Sequence, residues 1–261
     1  MKTSLRNWTP ALVLTAACWM GLTVLSAAEA LPAAKEVFAR HLDAIGGREV
    51  VAKLTGMRAK GEFKMPAVGM VAPIDILRAP PNRTIFKLTP AGFGEITGGF
   101  DGTTGWTIDP MSGAKILSGK ALDQSRDDAE FFSQFQLHDD TKIASATTVA
   151  RTPFDGRECV QLKLVWKTGR EEELFFDAKT GLLAGVKKLQ ETEQGPTPVT
   201  VTMLDYKKFG PLLQPTRLAQ KLGEMDLEIT LTEYRFEAVT DAELALPTAV
   251  KELLNAAPAP K

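Results

Sequence analysis

The chain has 261 residues, with 31 Lys and Arg against 32 Asp and Glu, which gives a formal net charge of −1. A surface this balanced offers no basis for binding nucleic acid or a strongly anionic membrane, and we expect neither as a partner. Hydrophobic residues make up 44% of the chain, enough for one large core without help from disulfides.

Residues 1–30 have the pattern of a secretion signal. Two basic residues precede an apolar run, residues 11–25, and small residues that include Ala28 and Ala30 follow it. The run of about 15 residues is shorter than the roughly 20 that a membrane-spanning helix needs. We therefore expect cleavage after Ala30 and a mature protein, residues 31–261, that works in the periplasm.

Cys18 provides the alternative of a lipid anchor. It follows Thr15-Ala16-Ala17, which resembles the end of a lipoprotein signal, although Thr15 replaces the usual aliphatic residue and apolar residues follow the cysteine. Cleavage after Ala30 is favoured over anchoring through Cys18. It would leave 29 basic and 31 acidic residues and a single cysteine, Cys159, so no intramolecular disulfide could form.

Helical periodicity appears in four places. Residues 34–45 carry apolar side chains at helical spacing and are followed by two glycines that stop the helix. A short second helix is predicted over 48–54. A third is predicted over 121–136, and a short C-terminal one begins near residue 247.

The remaining segments are predicted to be strands. In 57–65 apolar residues alternate with four charged ones, as in a strand with one apolar and one wet face. Turn residues separate the segments, which is typical of an antiparallel meander. The prediction is a mainly β (α+β) single domain, residues 31–261, with a sheet of about eleven strands and two or three helices covering its concave face. The further strand-like segments are 72–78, 82–89, 93–100, 104–109, 143–151, 157–167, 170–177, 182–192, 197–206, 212–221 and 226–236.

Few helices are available to cover so large an apolar face. Sheets of this size tend to curl, and a curled sheet of more than about eight strands can enclose more space than its own side chains fill. Two interpretations follow: the helices and the sheet fill the core completely, or the sheet leaves room for an apolar ligand.

No catalytic or metal-binding pattern stands out. The two histidines are His41, in the first helix, and His138, which we assign to a solvated loop; one histidine beside two carboxylates is too few ligands for a transition metal. No nucleophile-elbow motif occurs, and Cys159 lies inside a predicted strand. We expect no cofactor, no metal and no enzymatic activity; a hydrolase using His138 or Asp109 is the weakest alternative.

Four segments nevertheless carry a family resemblance. They are His41–Gly47, Phe100–Pro110, Phe175–Leu182 and Asp205–Pro215, in that order, and together they extend over most of the mature chain. With these segments the chain resembles the bacterial outer-membrane lipoprotein-sorting-protein group, which is related to the periplasmic lipoprotein carrier and the outer-membrane lipoprotein receptor.

The resemblance implies a nearly closed antiparallel half-barrel with helices in its concave mouth and an apolar concavity that receives acyl chains. It favours a non-enzymatic, monomeric carrier for a lipoprotein or lipid acyl chain. An envelope sensor or scaffold that binds a protein partner through the same fold is the alternative. The candidate ligand contacts are apolar strand residues and three phenylalanines of a movable lid: Met57, Phe63, Met65, Leu162, Leu164, Trp166, Leu227, Ile229, Leu231, Phe131, Phe132 and Phe135.

The N-terminus of the exported protein distinguishes the two export routes. Expression in a Gram-negative host should give a periplasmic protein that begins at Leu31, because Ala28 and Ala30 match the small side chains that the signal peptidase accepts. Intact-mass measurement and N-terminal sequencing check this. A mass that includes a lipid group on Cys18 would contradict it.

Overall fold

In the computed structural model, which describes residues 30–192 and 194–256, thirteen antiparallel strands form a single sheet. The described residues from 31 to 256 form one unit, whereas residues 1–29, which include Cys18 and nearly all of the predicted signal sequence, lie outside the described residues. Each strand pairs with its neighbours in the chain, except that the sixth and seventh strands form the two edges of the sheet and the first strand pairs with the last. The strands are β1 (Met57–Met65), β2 (Met70–Ala79), β3 (Arg83–Leu88), β4 (Ile96–Phe100), β5 (Gly105–Asp109), β6 (Gly113–Ile116), β7 (Ile143–Phe154), β8 (Arg157–Trp166), β9 (Glu171–Asp177), β10 (Leu183–Thr192), β11 (Gly195–Phe209), β12 (Leu212–Leu222) and β13 (Met225–Arg235).

The mainly β architecture is confirmed, and the number of strands is thirteen instead of about eleven. One strand that the sequence did not predict is β6, whose four residues, Gly113 to Ile116, are too few to show an alternating pattern. It exists because it pairs along its whole length with β5. β6 and β7 are the two edges of the curved, open sheet.

Four α-helices complete the fold: α1 (Ala34–Ile45), α2 (Arg48–Ala52), α3 (Gly119–Ala129) and α4 (Thr248–Ala256). The helix predicted over 121–136 is wrong as a continuous element, because it breaks after Ala129 and resumes as a 3-10 helix, Phe132–Phe135. At the break, the amide of Phe131 donates to the carbonyl of Pro81 instead of to its own helix. A tertiary contact therefore ends the helix.

Strand alternation assigns residues to two faces. On β2, Ile76 and Arg78 point to the concave side, here called the inner face, and Leu77 and Ala79 to the outer face. The helix α1 packs over one part of the inner face, where Val37 and Phe38 meet Leu162 and Leu164 of β8. This contact stabilises the fold, because it removes the apolar side chains of both α1 and β8 from water.

The C-terminal segment covers the outer face instead. Val250 of α4, with Val239 and Leu244 before it, packs against Ile85 and Trp106. The two or three helices expected on the concave face are therefore α1, α2 and α3, and α4 lies on the opposite face. The reason is that β2 to β5 carry apolar residues on both faces, so that two covers are needed. None of the helices in the described part of the chain has both the length and the apolar composition needed to cross a bilayer.

Gly61 marks a point where β1 and β13 approach very closely. The register between the strands shifts after Lys60, and a Cβ atom on Gly61 would lie 2.0 Å from the carbonyl oxygen of Thr230. Only glycine can occupy this position without moving the backbone of β13.

We expect Gly61→Ala to lower the free energy of unfolding by about 1–3 kcal/mol, although alanine normally stabilises a strand relative to glycine. Urea denaturation checks this. The exposed edge-strand variant Ser145→Ala is the control and should change stability by less than about 0.5 kcal/mol. An unchanged or higher midpoint for Gly61→Ala would show that the close approach is not present.

Candidate ligand cavity

A cavity of about 320 Å³ lies against the inner face, between the sheet and the segment that follows α3. This volume is at the lower end of the roughly 300–1,000 Å³ typical of small-molecule sites. Its apolar wall comes from strands that are far apart in sequence, which the meander brings together: Met57, Ile76, Trp166, Val186, Val201, Met203, Leu218 and Leu231, with Ile45 of α1 and Phe135 of the 3-10 helix.

A row of apolar side chains crosses the inner face beside this cavity. Met203 lies opposite Leu218, Leu218 opposite Ile229, and Ile229 opposite Phe63, on four successive strands β11, β12, β13 and β1. All four side chains are only half-buried. We call these four residues the inner row. It is apolar surface on the concave side that the helices do not fully cover.

The candidate ligand contacts fall into three groups. Met57, Trp166, Leu231 and Phe135 line the cavity. Phe63, Met65, Leu227, Ile229 and Phe132 are half-buried, with the first four on inner-face positions of β1 and β13. Leu162, Leu164 and Phe131 are fully buried in the packed core, where α1 covers the two leucines.

The segment after β6 bridges the mouth of the sheet. α3 contacts β4 and β5 in one half of the sheet and β10 in the other. The 3-10 helix that follows places Phe135 in the core beside Phe131, with ring centroids 5.8 Å apart. We call residues 119–135 the lid, since they extend from one half of the sheet to the other.

Charged side chains attach the lid to both halves. The carboxylate of Asp128 accepts hydrogen bonds from Arg170 at 2.6 Å and from Lys188 of β10 at 2.9 Å. The backbone carbonyl of Asp128 accepts a hydrogen bond from Arg78 of β2. Burial by itself would raise the pKa of Asp128, but the ammonium of Lys188 and the guanidinium of Arg170 outweigh it and hold this pKa well below its usual range. The lid therefore carries a firmly ionised carboxylate between two cations.

Arg170 is positioned by a tight turn between β8 and β9. The amide of Trp166 donates to the carbonyl of Arg170 at 2.8 Å, and Gly169 supplies the positive φ of 85° that this reversal requires. The turn places the guanidinium over the indole ring, 4.9 Å from its centroid. Arg170 also pairs with Glu172, and Asp127 accepts a hydrogen bond from Thr168 at 2.6 Å.

A second, larger cavity of about 620 Å³ adjoins the first. Arg170, Glu172 and Lys188 line both cavities, so the charged residues form a shared wall. The second cavity also contains Gln124 of α3 and several charged residues of β8 to β10. One concavity thus has an apolar part and a charged part.

Sequence reasoning missed these charged residues. Arg78 continues the inner-face alternation of Ala72, Ile74 and Ile76, and Glu172 lies opposite Leu164. A charge in an otherwise apolar series was the available signal. The partners of these charges could not be predicted, because they are remote in sequence; Arg170, for example, is 42 residues from Asp128.

One of the two histidines, His138, also differs from the prediction. His41 is buried, and its Nδ1 lies 3.1 Å from the carbonyl oxygen of Gly181, to which it can donate. His138 is not in a solvated loop, as predicted, but lines the cavity with its ring against Phe38 and Trp166. Burial lowers the pKa of each histidine to about 4, so both are neutral at pH 7.

A hydrogen-bonded group around His138 offers no efficient general base. Its Nδ1 lies 3.2 Å from Ser133 Oγ and its Nε2 3.1 Å from Gln136 Oε1. Gln136 takes the place that a carboxylate has in a catalytic triad, but its amide cannot stabilise an imidazolium as a carboxylate does. The low pKa of His138 also makes its imidazole a weak base at neutral pH. Among the described residues, no group of three or more His, Cys, Asp or Glu side chains is arranged to hold a metal ion.

The fold recurs in solved structures. A LolA-superfamily protein of Nitrosomonas europaea superposes with a TM-score of 0.56 and 12% identity, covering 82% of this chain and 98% of the other. The lipoprotein-sorting fold is confirmed. A DUF1329-family protein of Desulfovibrio piger superposes with a TM-score of 0.54 and 11% identity, covering 81% of this chain and 97% of the other. A Vibrio parahaemolyticus domain described as belonging to an outer-membrane lipoprotein-sorting protein superposes with a TM-score of 0.52 and 12% identity, covering 84% of this chain and 97% of the other. No protein-family model and no curated protein sequence matches the chain. At these identities the likeness to the lipoprotein-sorting fold is one of architecture.

The buried histidines should make stability depend on pH. In the unfolded chain they titrate near pH 6.5, and in the folded chain near 4, so the unfolded state binds more protons between these values and stability falls as the pH falls. We expect His41 alone to remove about 1.5 kcal/mol between pH 6.5 and pH 5. Burial raises the pKa of Asp127 and Glu130, which acts in the opposite sense and offsets part of the histidine effect.

Urea midpoints at the two pH values measure this effect. His41→Asn keeps a donor toward Gly181 but cannot be protonated, so it should reduce the pH dependence, and the double variant with His138→Asn should nearly abolish it. A wild-type midpoint that is the same at both pH values would contradict the burial of the neutral rings.

Proposed function

We propose that the protein is a non-enzymatic carrier of acyl chains, from a lipid or a lipoprotein, in the periplasm. The observation that carries this proposal is the inner row, Met203, Leu218, Ile229 and Phe63, which stays half-buried beside a cavity of about 320 Å³. Covering this surface with methylene groups would gain about 0.8 kcal/mol for each group removed from water.

The lid gives such a site a means of opening. Its charged contacts to Arg78, Arg170 and Lys188 are all made by Asp128, near the C-terminal end of α3. Contacts of this kind can break and re-form without disturbing the sheet, because the strands are held by their own ladders. An acyl chain could then enter along the inner row while the half-barrel stays intact.

The fold likeness supports a carrier without identifying its cargo. One similar structure is described as part of an outer-membrane lipoprotein-sorting protein, and the LolA superfamily includes another. We propose by analogy that this chain acts in the cell envelope, as a monomer, and that its cargo is acylated. The sensor or scaffold function is the competing outcome, in which a protein partner replaces lipid.

Lipid binding tests the proposal directly. The protein purified under native conditions should release acyl lipid on extraction, as detected by mass spectrometry, and should bind a fluorescent fatty-acyl probe. Ile229→Asn places an amide in the middle of the inner row, and we expect it to weaken probe binding at least about tenfold, because buried apolar contact is lost.

Val149→Asn is the matched control. Val149 is an exposed valine on the edge strand β7, so the same polar group there should leave probe binding unchanged. Absence of both extracted lipid and probe binding would overturn the carrier proposal. A single protein recovered in equal amounts with a lipid-free chain would instead support the sensor or scaffold function.

A further inference from the structure

Four N–H groups of residues that line one or both of the cavities have no hydrogen-bond acceptor among the described residues; Arg170 lines both cavities, Trp166 and Arg78 line the first, and Gln124 lines the second. They are Trp166 Nε1, Gln124 Nε2, Arg78 Nε and Arg170 Nε. Trp166 is 3% exposed and Gln124 is 6% exposed. Arg170 Nε lies 3.7 Å from Asp127 Oδ2, beyond hydrogen-bond range. Buried donors are costly when unpaired, so this wall is suited to a ligand that supplies acceptors.

The four residues that carry these donors are neighbours, linked through Arg170 and Asp128. Arg78 and Arg170 both bind Asp128, Arg170 lies over the ring of Trp166, and Arg170 also reaches the carbonyl of Gln124 at 3.5 Å. The wall borders the apolar part of the cavity, where Trp166 and Met57 contribute to the lining. A ligand that fills the apolar part with a chain would bring the polar end of that chain to these donors.

The surrounding charges decide what kind of acceptor fits. Three cations, Arg78, Arg170 and Lys188, are already balanced by three carboxylates, Asp127, Asp128 and Glu172. A carboxylate or phosphate would bring an unbalanced negative charge into a partly dehydrated network, which is unfavourable. A neutral carbonyl oxygen satisfies N–H donors without changing the charge.

We propose, on the basis of the carrier function above, that this wall binds the ester carbonyl of an acyl lipid. The chain of the lipid lies on the apolar side, and the carbonyl accepts hydrogen bonds from the wall, with Trp166 as one donor. The site then distinguishes ester-linked chains from free fatty acids and from ethers. This ester occurs both in glycerolipids and in the diacylglyceryl group of lipoproteins.

Matched ligands test this. Monooleoylglycerol and its ether analogue, oleylglycerol, differ at the carbonyl, and oleate carries a charge in its place. We expect the ester to bind about tenfold more tightly than the ether at pH 7, the difference a single hydrogen bond to a buried donor can make. We also expect oleate to bind more weakly than the ester. With a ¹³C-labelled ester, the infrared carbonyl band should move to lower frequency on binding.

Two tryptophan variants locate the contact. Trp166→Phe removes the donor but keeps an aromatic ring, and it should lower the ester-to-ether preference at least about threefold, because any change in apolar packing affects both ligands and cancels in the ratio. Trp106→Phe, the same change at a buried tryptophan on the outer face, should keep the preference. If Trp166→Phe does not fold, the ligand comparison and the carbonyl band of the unaltered protein still decide.

The outcomes separate this inference from the carrier proposal. Equal affinity for ester and ether with an unshifted carbonyl band would overturn the carbonyl site and leave acyl binding intact, with water on the donors. Tighter binding of oleate than of the ester would overturn it as well, and would favour an anion site. Failure of all three ligands to bind would overturn the carrier function itself. A diacylglycerol compared with a diacylglyceryl-cysteine peptide then shows which source of the ester binds more tightly.

Discussion

The structure depends on an unequal coverage of one large sheet. Thirteen strands present a continuous concave surface, and the helices that lie on it, α1, α2 and the lid, are too few to fill it. Where α1 covers β8, Leu162 and Leu164 lose all contact with water and become ordinary core. Where the helices cover the sheet less completely, the inner row stays only half-buried. Function can arise only in the second region, because the first is already close-packed.

Charge inside the concavity gives the lid its position. A helix that crosses the mouth of an open sheet has little apolar surface to bury on either side, and α3 is accordingly rich in polar residues. Its attachment comes from Asp128, which links Arg78 in one half of the sheet to Arg170 and Lys188 in the other. Ionic contacts of this kind specify a geometry more than they stabilise it, since burying the charges offsets much of their attraction. A segment held in this way can move while the sheet stays folded.

The same charged wall makes the concavity amphipathic. Apolar strand residues and a balanced set of ions meet at Trp166, whose ring packs in the core and whose N–H has no acceptor among the described residues. The buried histidines add a neutral polar surface nearby, because burial keeps both uncharged at pH 7. An amphiphile matches such a lining better than a pure hydrocarbon does, because its chain contacts the apolar side chains and its polar group contacts the polar ones.

The sequence by itself determined the mainly β meander, the first helix and the inward apolar series, because each depends on periodicity within a short stretch of chain. The strand β6 is too short to show an alternating pattern and forms by pairing with its neighbour β5. The break after Ala129 and the outer position of α4 depended on contacts with remote segments, which no local pattern encodes. The site divides in the same way. Met57 and Leu231 were identifiable as apolar inward residues. Only the tertiary structure decided that Leu162 is fully buried in the core, that Ile229 is only half-buried, and that Arg78 hydrogen-bonds to Asp128. Each of these depends on which distant element covers or contacts the side chain.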